Sequence, residues 1–260
     1  MSLNQNRKAT SIVGAMLLVF GTTTGVFAQG QNHEEEKAKN LKVLDSALSH
    51  DQLIDIMGSY TTALGVHCDF CHARSADPNR RDMDWASDKV PAKEITRQMI
   101  KMMRGINGDY LGAIQGLDTP RVKVECVTCH RGQERPMLID DVLNRALASG
   151  GMKTVDSVYR ALRGEYYGSA TYDFSEAVLV HFAWDIAQEN DTVALQALAL
   201  NREFNPKSSF TEWATGQIYA ERGDTVSAIA SLEKALKYNP NNRRAKRDLD
   251  QLKGVAPKKP

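Results

Sequence analysis

The 260-residue sequence lacks several features that would assign its class at once. It has only 4 cysteines, too few for a disulfide scaffold of this length. Its 33 basic and 32 acidic residues nearly balance, so it lacks the excess positive charge typical of nucleic-acid-binding proteins. With 42% hydrophobic and 25% charged residues, the composition is that of a globular protein and excludes a disordered or collagen-like chain. The length allows one large or two modest domains.

Long apolar stretches are also scarce, and the one near the N-terminus is short. Arg7 and Lys8 precede a largely apolar run over residues 11–20, and residues 26–28 end in the small side chain of Ala28. This pattern predicts a signal peptide over residues 1–28, and hence a periplasmic or exported protein. A further candidate location is the outer face of the inner membrane. A retained anchor over residues 12–28 is the alternative, but it falls below the roughly 20 apolar residues of a spanning helix. No later stretch is apolar enough, so we expect no transmembrane helix in the mature chain.

The cysteines form two pairs with identical spacing. Residues 68–72 and 126–130 each read Cys-x-x-Cys-His, the attachment sequence of c-type haem. Two thiols at this spacing can bond the two vinyl groups of one porphyrin, and the following imidazole can bind the iron as its proximal ligand. The sequence therefore predicts two covalently bound haem c groups. The predicted attachment residues are Cys68, Cys71, Cys126 and Cys129, and the predicted proximal ligands are His72 and His130.

Three other interpretations of the cysteine pairs stay open. Disulfides would suit an exported chain, although Cys-x-x-Cys bridges are usually redox-active and not structural. A Cys₄ zinc site is compatible with two pairs, although Cys71 and Cys126 lie far apart in the sequence for such a site. A thioredoxin-like motif would occur once per domain and not twice. None of the three explains why a histidine follows both pairs in a chain with only 6 histidines.

A helical pattern with a methionine on its apolar face precedes the first motif. Ser49 and Gln52 have the spacing of a capping box, and Gly65 is a typical helix stop. Between them, apolar residues recur on one face at helical spacing. Met57 lies on that face and is our candidate for the distal ligand of the first haem. The members of the face are Leu53, Met57, Tyr60 and Leu64.

A second helix is expected before the second motif. Pro91 suits the first helical turn, and the pattern runs to Ile106 before an expected stop at Asn107 and Gly108. The apolar face has the same spacing as in the first helix, and periodicity alone does not choose among its methionines. The alternative is that methionines on such a face simply fill the core. The face consists of Ile95, Met99, Met102 and Ile106, and the ligand candidates are Met99, Met102 and Met103.

Three segments between residues 41 and 138 together share a pattern with one known family. After Met57, the first reads Leu-Gly-Val-x-Cys-x-x-Cys-His at 64–72. The second reads Arg-Gln-Met-x-x-Met at 97–102, with Ile-Asn at 106–107, and the third reads Val-x-Cys-Val-Thr-Cys-His-Arg-Gly at 124–132. This part of the chain resembles half of the tetrahaem cytochrome c subunit of photosynthetic reaction centres. In that family a helix methionine ahead of each motif ligates the iron. The resemblance implies Met57 and Met99 as distal ligands, with Met102 as the second choice.

The sequence also departs from that family in one respect. The family has four haems, and a histidine shortly after its Ile-Asn pair serves one of the other two. Here residues 108–112 contain no histidine, and the chain has no third Cys-x-x-Cys-His motif. The consistent expectation is two haems, both with His/Met ligation.

The predicted function is single-electron transfer between redox proteins. The partners would be protein donors and acceptors, including a membrane electron-transfer complex, and no nucleic acid. No set of residues demands a catalytic role, so we expect an electron carrier and not an enzyme. One alternative is a dihaem peroxidase-like enzyme with an open distal site at one iron. The other is a scaffold that tethers a cytochrome to a complex through its C-terminal half.

The C-terminal half carries an internal repeat. Residues 204–206 read Phe-Asn-Pro and residues 238–240 read Tyr-Asn-Pro, a shift of 34 residues, which is the tetratricopeptide length. Such repeats stack as helices and often bind proteins, although two or three could equally cover the haem domain. The tail over residues 234–260 is basic, which is usually a solvated face but can also steer an acidic partner. The expected fold is mainly α, with a signal peptide at 1–28, a dihaem cytochrome c domain at 29–140 and a tetratricopeptide-like domain at 141–260.

Overall fold

The structure, a computed structural model, describes residues 38–77, 79, 82–116 and 122–254. The described residues belong to one compact unit. The predicted signal peptide lies outside the described residues. Apart from one pair of two-residue strands, all regular secondary structure in the described residues is helical, which confirms the mainly α fold. In this part of the chain no helix is both long and apolar enough to cross a bilayer.

Nine α-helices and two short strands are found in the described residues. The strands pair antiparallel, with Ala73 opposite Asp84. Two single turns of 3₁₀-helix and one π-helical turn complete the regular structure, at Cys68–Phe70, Leu111–Ala113 and Ile106–Tyr110. The helices are α1 (His50–Leu64), α2 (Pro91–Gly105), α3 (Cys126–His130), α4 (Ile139–Tyr166), α5 (Glu176–Ala187), α6 (Asp191–Phe204), α7 (Ser209–Glu221), α8 (Thr225–Tyr238) and α9 (Arg243–Leu252), and the strands are β1 (Ala73–Arg74) and β2 (Met83–Asp84).

Helix α1 begins and ends where its sequence predicts. The Ser49 hydroxyl accepts a hydrogen bond from the Gln52 amide, and the Gln52 side chain accepts one from the Ser49 amide, which forms a complete capping box. Gly65 ends the helix in the left-handed conformation, at φ 68°. Both ends are therefore set by residues within one turn of the boundary.

The end of α2 corrects a prediction. Helical structure does not end at Asn107 and Gly108 as predicted. A π-helical turn at Ile106–Tyr110 and a 3₁₀ turn continue it to Ala113. The Asn107 amide donates to the carbonyls of Met103 and Val124 at 3.0 and 2.7 Å, and its side-chain oxygen accepts from the Val124 amide at 2.8 Å. Asn107 thus ties the end of α2 to the residues just ahead of α3. That long-range contact outweighs the tendency of asparagine to stop a helix.

The C-terminal half is a series of antiparallel helix pairs. Asn201 near the end of α6 donates to the carbonyl of Glu176 at the start of α5, at 2.8 Å. Ser209 at the start of α7 donates to the carbonyl of Ala235 near the end of α8, also at 2.8 Å. The sequence repeat of 34 residues recurs in the helices. Helix α8 begins 34 residues after α6, and α9 begins 34 residues after α7. Most of the buried apolar side chains of the described chain lie in this half.

Helix α4 bends at two adjacent glycines. Gly151 has φ 68° and ψ −166°, a backbone conformation that side chains with a Cβ rarely adopt. Because α4 begins at Ile139, it runs across the predicted domain boundary at residues 140 and 141. That boundary stays a prediction, since the described residues on both sides of it belong to a single compact unit.

Candidate haem-binding site

The first Cys-x-x-Cys-His motif folds as a tight turn that leads into β1. The amides of Cys71 and His72 both donate to the Cys68 carbonyl, at 3.3 and 3.0 Å. These bonds hold the two cysteines and the histidine of the motif in one compact turn. The Cys71 sulfur lies 3.7 Å from the Thr96 hydroxyl, so the turn rests beside α2.

The His72 imidazole is held between the turn and the residues after β2. Its ring centroid lies 5.2 Å from that of Trp85, with the planes at 68°. Its Nδ1 atom is buried beside the Trp85 backbone, without a hydrogen bond of ordinary geometry in the described part of the chain. Burial lowers the pKa of His72, and the positive charge of Lys93 lowers it further. Both effects favour the neutral imidazole, which is the form that binds metals.

The second motif forms the short helix α3. The Glu125 amide donates to the Thr128 hydroxyl at 3.0 Å, which closes the first turn, and Arg131 ends the helix at φ 49°. The Nδ1 atom of His130 lies 2.8 Å from the Gln133 carbonyl oxygen. Because a carbonyl only accepts hydrogen bonds, Nδ1 is the protonated nitrogen, and Nε2 keeps its lone pair. Metal-ligating histidines in proteins are oriented by this kind of bond.

None of the four cysteines is in a disulfide. Cys68 and Cys129 are exposed, whereas Cys71 and Cys126 are half-buried. Burial raises the pKa of the Cys126 thiol. In the described ranges no group of three or more metal-binding side chains comes together, so the two cysteine pairs do not form a shared four-ligand cluster. The four thiols thus stand as two separate pairs, one in each motif.

The second motif packs against the C-terminal end of α1. The Gly132 amide donates to the Ala63 carbonyl at 2.8 Å. A Cβ atom at Gly65 would collide with the Gly132 carbonyl, so the two backbones touch at this point. Burial, and then the charge of the Cys126 thiolate, raise the pKa of Tyr60 on α1. The structure thus brings α1 together with the second motif, and α2 together with the first.

The candidate methionines are not core residues. Met57 is half-buried, and the side chains of Met99 and Met102 are 43% and 54% exposed. The buried face of α2 consists instead of Arg97 and Ile100. The alternative that Met99 and Met102 fill the protein core is therefore wrong for this fold. Their assignment as iron ligands, like that of Met57, stays a prediction.

The part of the chain that holds both motifs has almost no core of its own. Among its described residues between 38 and 138, only Ala63 and Ile100 are buried apolar side chains. A segment of this size normally needs a substantial apolar interior to be stable. Large apolar side chains are exposed instead, and a flat apolar group such as a porphyrin would cover such surfaces. They are Ile54, Trp85, Ile95, Met99, Met102, Tyr110, Ile114, Val122, Val127 and Leu138. The residues present therefore fit covalently held haem.

An ion cluster beside the first motif could not be found from the sequence. Asp88 contacts the guanidinium of Arg97 at 2.8 Å and the ammonium of Lys42 at 2.7 Å, and it accepts a hydrogen bond from the Asn40 amide at 2.9 Å. Hydrogen bonds from these three groups, Arg97 first, hold the pKa of Asp88 far below its usual range. No helical or strand periodicity in the sequence links Asp88 to its partners Arg97, Lys42 and Asn40, so the sequence gives no sign of this cluster.

Lys93 joins this cluster to the Trp85 segment. Its ammonium group donates to the carbonyls of Trp85 and Ser87, at 2.7 and 2.8 Å, and lies 3.6 Å from Asp88. Trp85, whose ring contacts His72, is thus tied to α2 by the hydrogen bond from Lys93 to its backbone carbonyl. Gln133, which orients His130, was also missed, since no spacing rule marks a residue three positions after the motif.

Three of the known proteins that are similar to this chain are cytochromes. The photosynthetic reaction centre cytochrome c subunits of Roseobacter denitrificans and Thermochromatium tepidum are 28% and 29% identical to the chain, over 93 and 103 residues. Cytochrome c-554 of Chloroflexus aurantiacus is 30% identical over 95 residues. These matches cover 34%, 39% and 35% of this chain, and 24%, 22% and 20% of the relatives. The chain thus matches no more than about a quarter of the length of each relative.

A family profile gives a much longer match than any single relative. The profile described as photosynthetic reaction centre cytochrome C subunit matches residues 1–202, which include both Cys-x-x-Cys-His motifs and continue into α6. The match covers more than half of the 260 residues and includes every candidate ligand described above. The chain therefore belongs to the photosynthetic reaction centre cytochrome C subunit family.

Proposed function

We propose that the protein is an exported dihaem c-type cytochrome that passes single electrons between redox proteins. The observation that carries the proposal is the geometry of the two motifs in one compact unit. Each motif presents two unpaired thiols and a histidine within one turn, and His130 is already oriented with Nε2 free. Membership of a cytochrome family supports the same conclusion. Export rests on the pattern of residues 1–28.

At each site, cysteines would attach the haem, and a histidine and a methionine would bind its iron. Each cysteine S–H would add across one vinyl C=C bond, so that an S–C and a C–H bond form with no change in overall oxidation state. His72 and His130 would supply the proximal nitrogens. Met57 and Met99 would supply the distal sulfurs, with Met102 as the second choice. Haem iron with His/Met ligation supplies a one-electron couple of higher potential than iron with two histidines.

The carrier function needs no substrate pocket at either site. A distal methionine at each iron would leave no open position for a small substrate. The competing enzyme, a dihaem peroxidase, would need one such position and an acid–base side chain beside it. Its signature would be high-spin haem and peroxide turnover in the isolated protein.

We infer that the C-terminal half is a tetratricopeptide-like array. Its helices recur at the interval of the sequence repeat, and the cap positions recur with them, since Asn190 and Asp224 cap α6 and α8 through the same type of side-chain bond. Two equivalent buried pairs, Ala194 with Ala228 and Leu198 with Leu232, have exposures of 0 to 1%. This array is the candidate docking element for a redox partner or a membrane complex.

A haemochrome assay combined with an optical redox titration of the full chain tests the function. The expected result is two covalent haems per chain, low-spin spectra, and two one-electron transitions. A high-spin component that turns over peroxide would replace the carrier with the enzyme. Absence of covalent haem would overturn the proposal entirely. A matched variant, with Ala in place of both Cys126 and Cys129, should retain one haem and one transition.

A further inference from the structure

The residues that follow the second motif connect two parts of the fold. Residues 131–133 leave α3 immediately after His130, and we call them the link. On one side of the link, the Gly132 amide donates to the Ala63 carbonyl of α1 at 2.8 Å. On the other side, the link contacts residues 170–172, which lie between α4 and α5 of the C-terminal half. The link is therefore held from both halves of the chain.

Three hydrogen bonds join the link to residues 170–172. The Thr171 hydroxyl donates to the Arg131 carbonyl at 2.8 Å, and the Arg131 guanidinium donates to the Ala170 carbonyl at 3.3 Å. The Tyr172 hydroxyl donates to the side-chain oxygen of Gln133 at 3.3 Å. Arg131 itself has φ 49°, a left-handed conformation that residues other than glycine adopt rarely. Residues 170–172 thus contact both the carbonyl and the guanidinium of Arg131, the residue with the left-handed backbone.

The same link orients the His130 imidazole. The Gln133 amide donates to the His130 carbonyl at 2.8 Å, and the Gln133 carbonyl lies 2.8 Å from Nδ1 of His130. Gln133 therefore touches the imidazole through its backbone and Tyr172 through its side chain. A displacement of Tyr172 would reach His130 through a single intervening residue.

Tyr172 belongs to the core of the C-terminal half. Its ring lies 5.4 Å from that of Tyr166, with the planes at 82°, and 6.3 Å from that of Phe174. Phe174 is buried, and Tyr166 and Tyr172 pack against the same cluster. The anchor of the link is thus part of a packed aromatic group and not of a loose loop.

We propose that the C-terminal helical half is a positioning element for His130, acting through Thr171 and Tyr172 on the link. The inference rests on the proposed function, because His130 matters as the proximal ligand of the second haem. The hydrogen bond at Nδ1 raises the basicity of a ligating imidazole, and axial-ligand properties set haem potential. The C-terminal half therefore influences the potential of the second haem. Within the described residues, no hydrogen bond joins the first motif to the C-terminal half.

The test is a double variant of the full chain, Thr171→Val with Tyr172→Phe. It removes two hydroxyl groups and leaves the aromatic packing in place. The matched control is Thr192→Val with Tyr238→Phe, which removes the same two groups from α6 and α8. Hydrogen exchange of the link amides is measured together with the optical redox titration. If the double variant fails to accumulate, Tyr172→Phe alone, which removes a single oxygen atom, is measured in its place.

The expected result is specific to the second site. The Gly132 and Gln133 amides should exchange at least about tenfold faster in the double variant than in the control. One of the two haem potentials should shift, and the other should stay unchanged. Unchanged exchange, or faster exchange with both potentials unchanged, would overturn the inference and leave the proposed function intact. A wild-type chain without haem would instead contradict the proposed function, while hydrogen exchange would still report on the link.

Discussion

At the scale of single residues, Gly65 and Gly132 carry the contact between α1 and the second motif. Gly65 is required twice, since its φ of 68° disfavours a side chain and the Gly132 carbonyl occupies the space of a Cβ. Gly132 also has a positive φ, of 83°, and its amide donates to the Ala63 carbonyl. The backbone at the end of α1 therefore contacts the backbone at Gly132, two residues after His130.

We predict that Gly65→Ala destabilises the protein. The left-handed backbone alone costs a residue with a Cβ roughly 1–2 kcal/mol, and the collision with Gly132 adds to it. Gly58→Ala is the matched control, because Gly58 lies in the middle of α1 with open space around it. That change should stabilise the protein by roughly 0.5–1 kcal/mol. The free energy of unfolding in urea measures both, and equal effects of the two substitutions would refute the role given to Gly65.

The methionine assignments are also decided residue by residue. We predict that Met57→Leu and Met99→Leu each remove one distal sulfur, which lowers the potential of one haem and changes its low-spin spectrum. Met102→Leu keeps the shape of an exposed side chain on the same helix and should leave both haems unchanged. Optical and magnetic spectra of the oxidised protein measure the outcome. If Met102→Leu perturbs a haem and Met99→Leu does not, the second choice becomes the ligand.

At the scale of elements, α2 is joined to the chain on two sides. Its buried Arg97 reaches Asp88 and the Asn40 carbonyl, and the adjoining Asn107 reaches Val124 just ahead of α3. Lys93 fastens the Trp85 backbone to the same helix. Helix α2 therefore connects the surroundings of the first motif with those of the second. A protein with so few buried apolar residues in this region depends more on such polar contacts.

The ion cluster at Asp88 predicts a dependence of stability on pH. The folded pKa of Asp88 lies below the ordinary value of 3.8, because Arg97, Lys42 and Asn40 hydrogen-bond its charged form. The stability that these bonds provide is complete above that ordinary value and is lost as the pH falls toward the folded pKa. Asp88→Asn should therefore lower the unfolding free energy at about pH 7, and the difference from wild type should shrink below about pH 4.

Urea unfolding at several pH values measures this effect. Asp55→Asn, which changes an exposed carboxylate of α1 outside the cluster, is the control and should follow the wild-type curve. A difference between Asp88→Asn and wild type that stays constant down to about pH 2 would mean that the charge of Asp88 is not what stabilises the fold.

For the whole molecule, local sequence patterns predict the helices and the motifs, but they do not predict the long-range contacts between side chains. Ser49 and Gly65 mark the ends of α1 because capping acts within one turn, and the spacing of the cysteines marked both motifs. The Asn107 prediction failed because the partner of this side chain lies 17 residues away. The contacts of Trp85 with His72 and of Tyr172 with Gln133 were invisible for the same reason. Only the folded chain brings those residues together.

The two halves also differ in what stabilises them. The C-terminal half has its own apolar core, whereas the described residues between 38 and 138 bury only two apolar side chains. We propose that covalently attached haem completes the fold of residues 38–138. If so, the full chain without haem should lose the structure of its first half before that of its second.

Covalent attachment of two haems is decided by the intact mass of the full chain, expressed with its own export and haem-attachment machinery. We expect the mass of the processed polypeptide plus two haem groups, with no free thiols left to alkylate. A mass equal to that of the polypeptide alone, with four cysteines that react with an alkylating reagent or pair as disulfides, would contradict it.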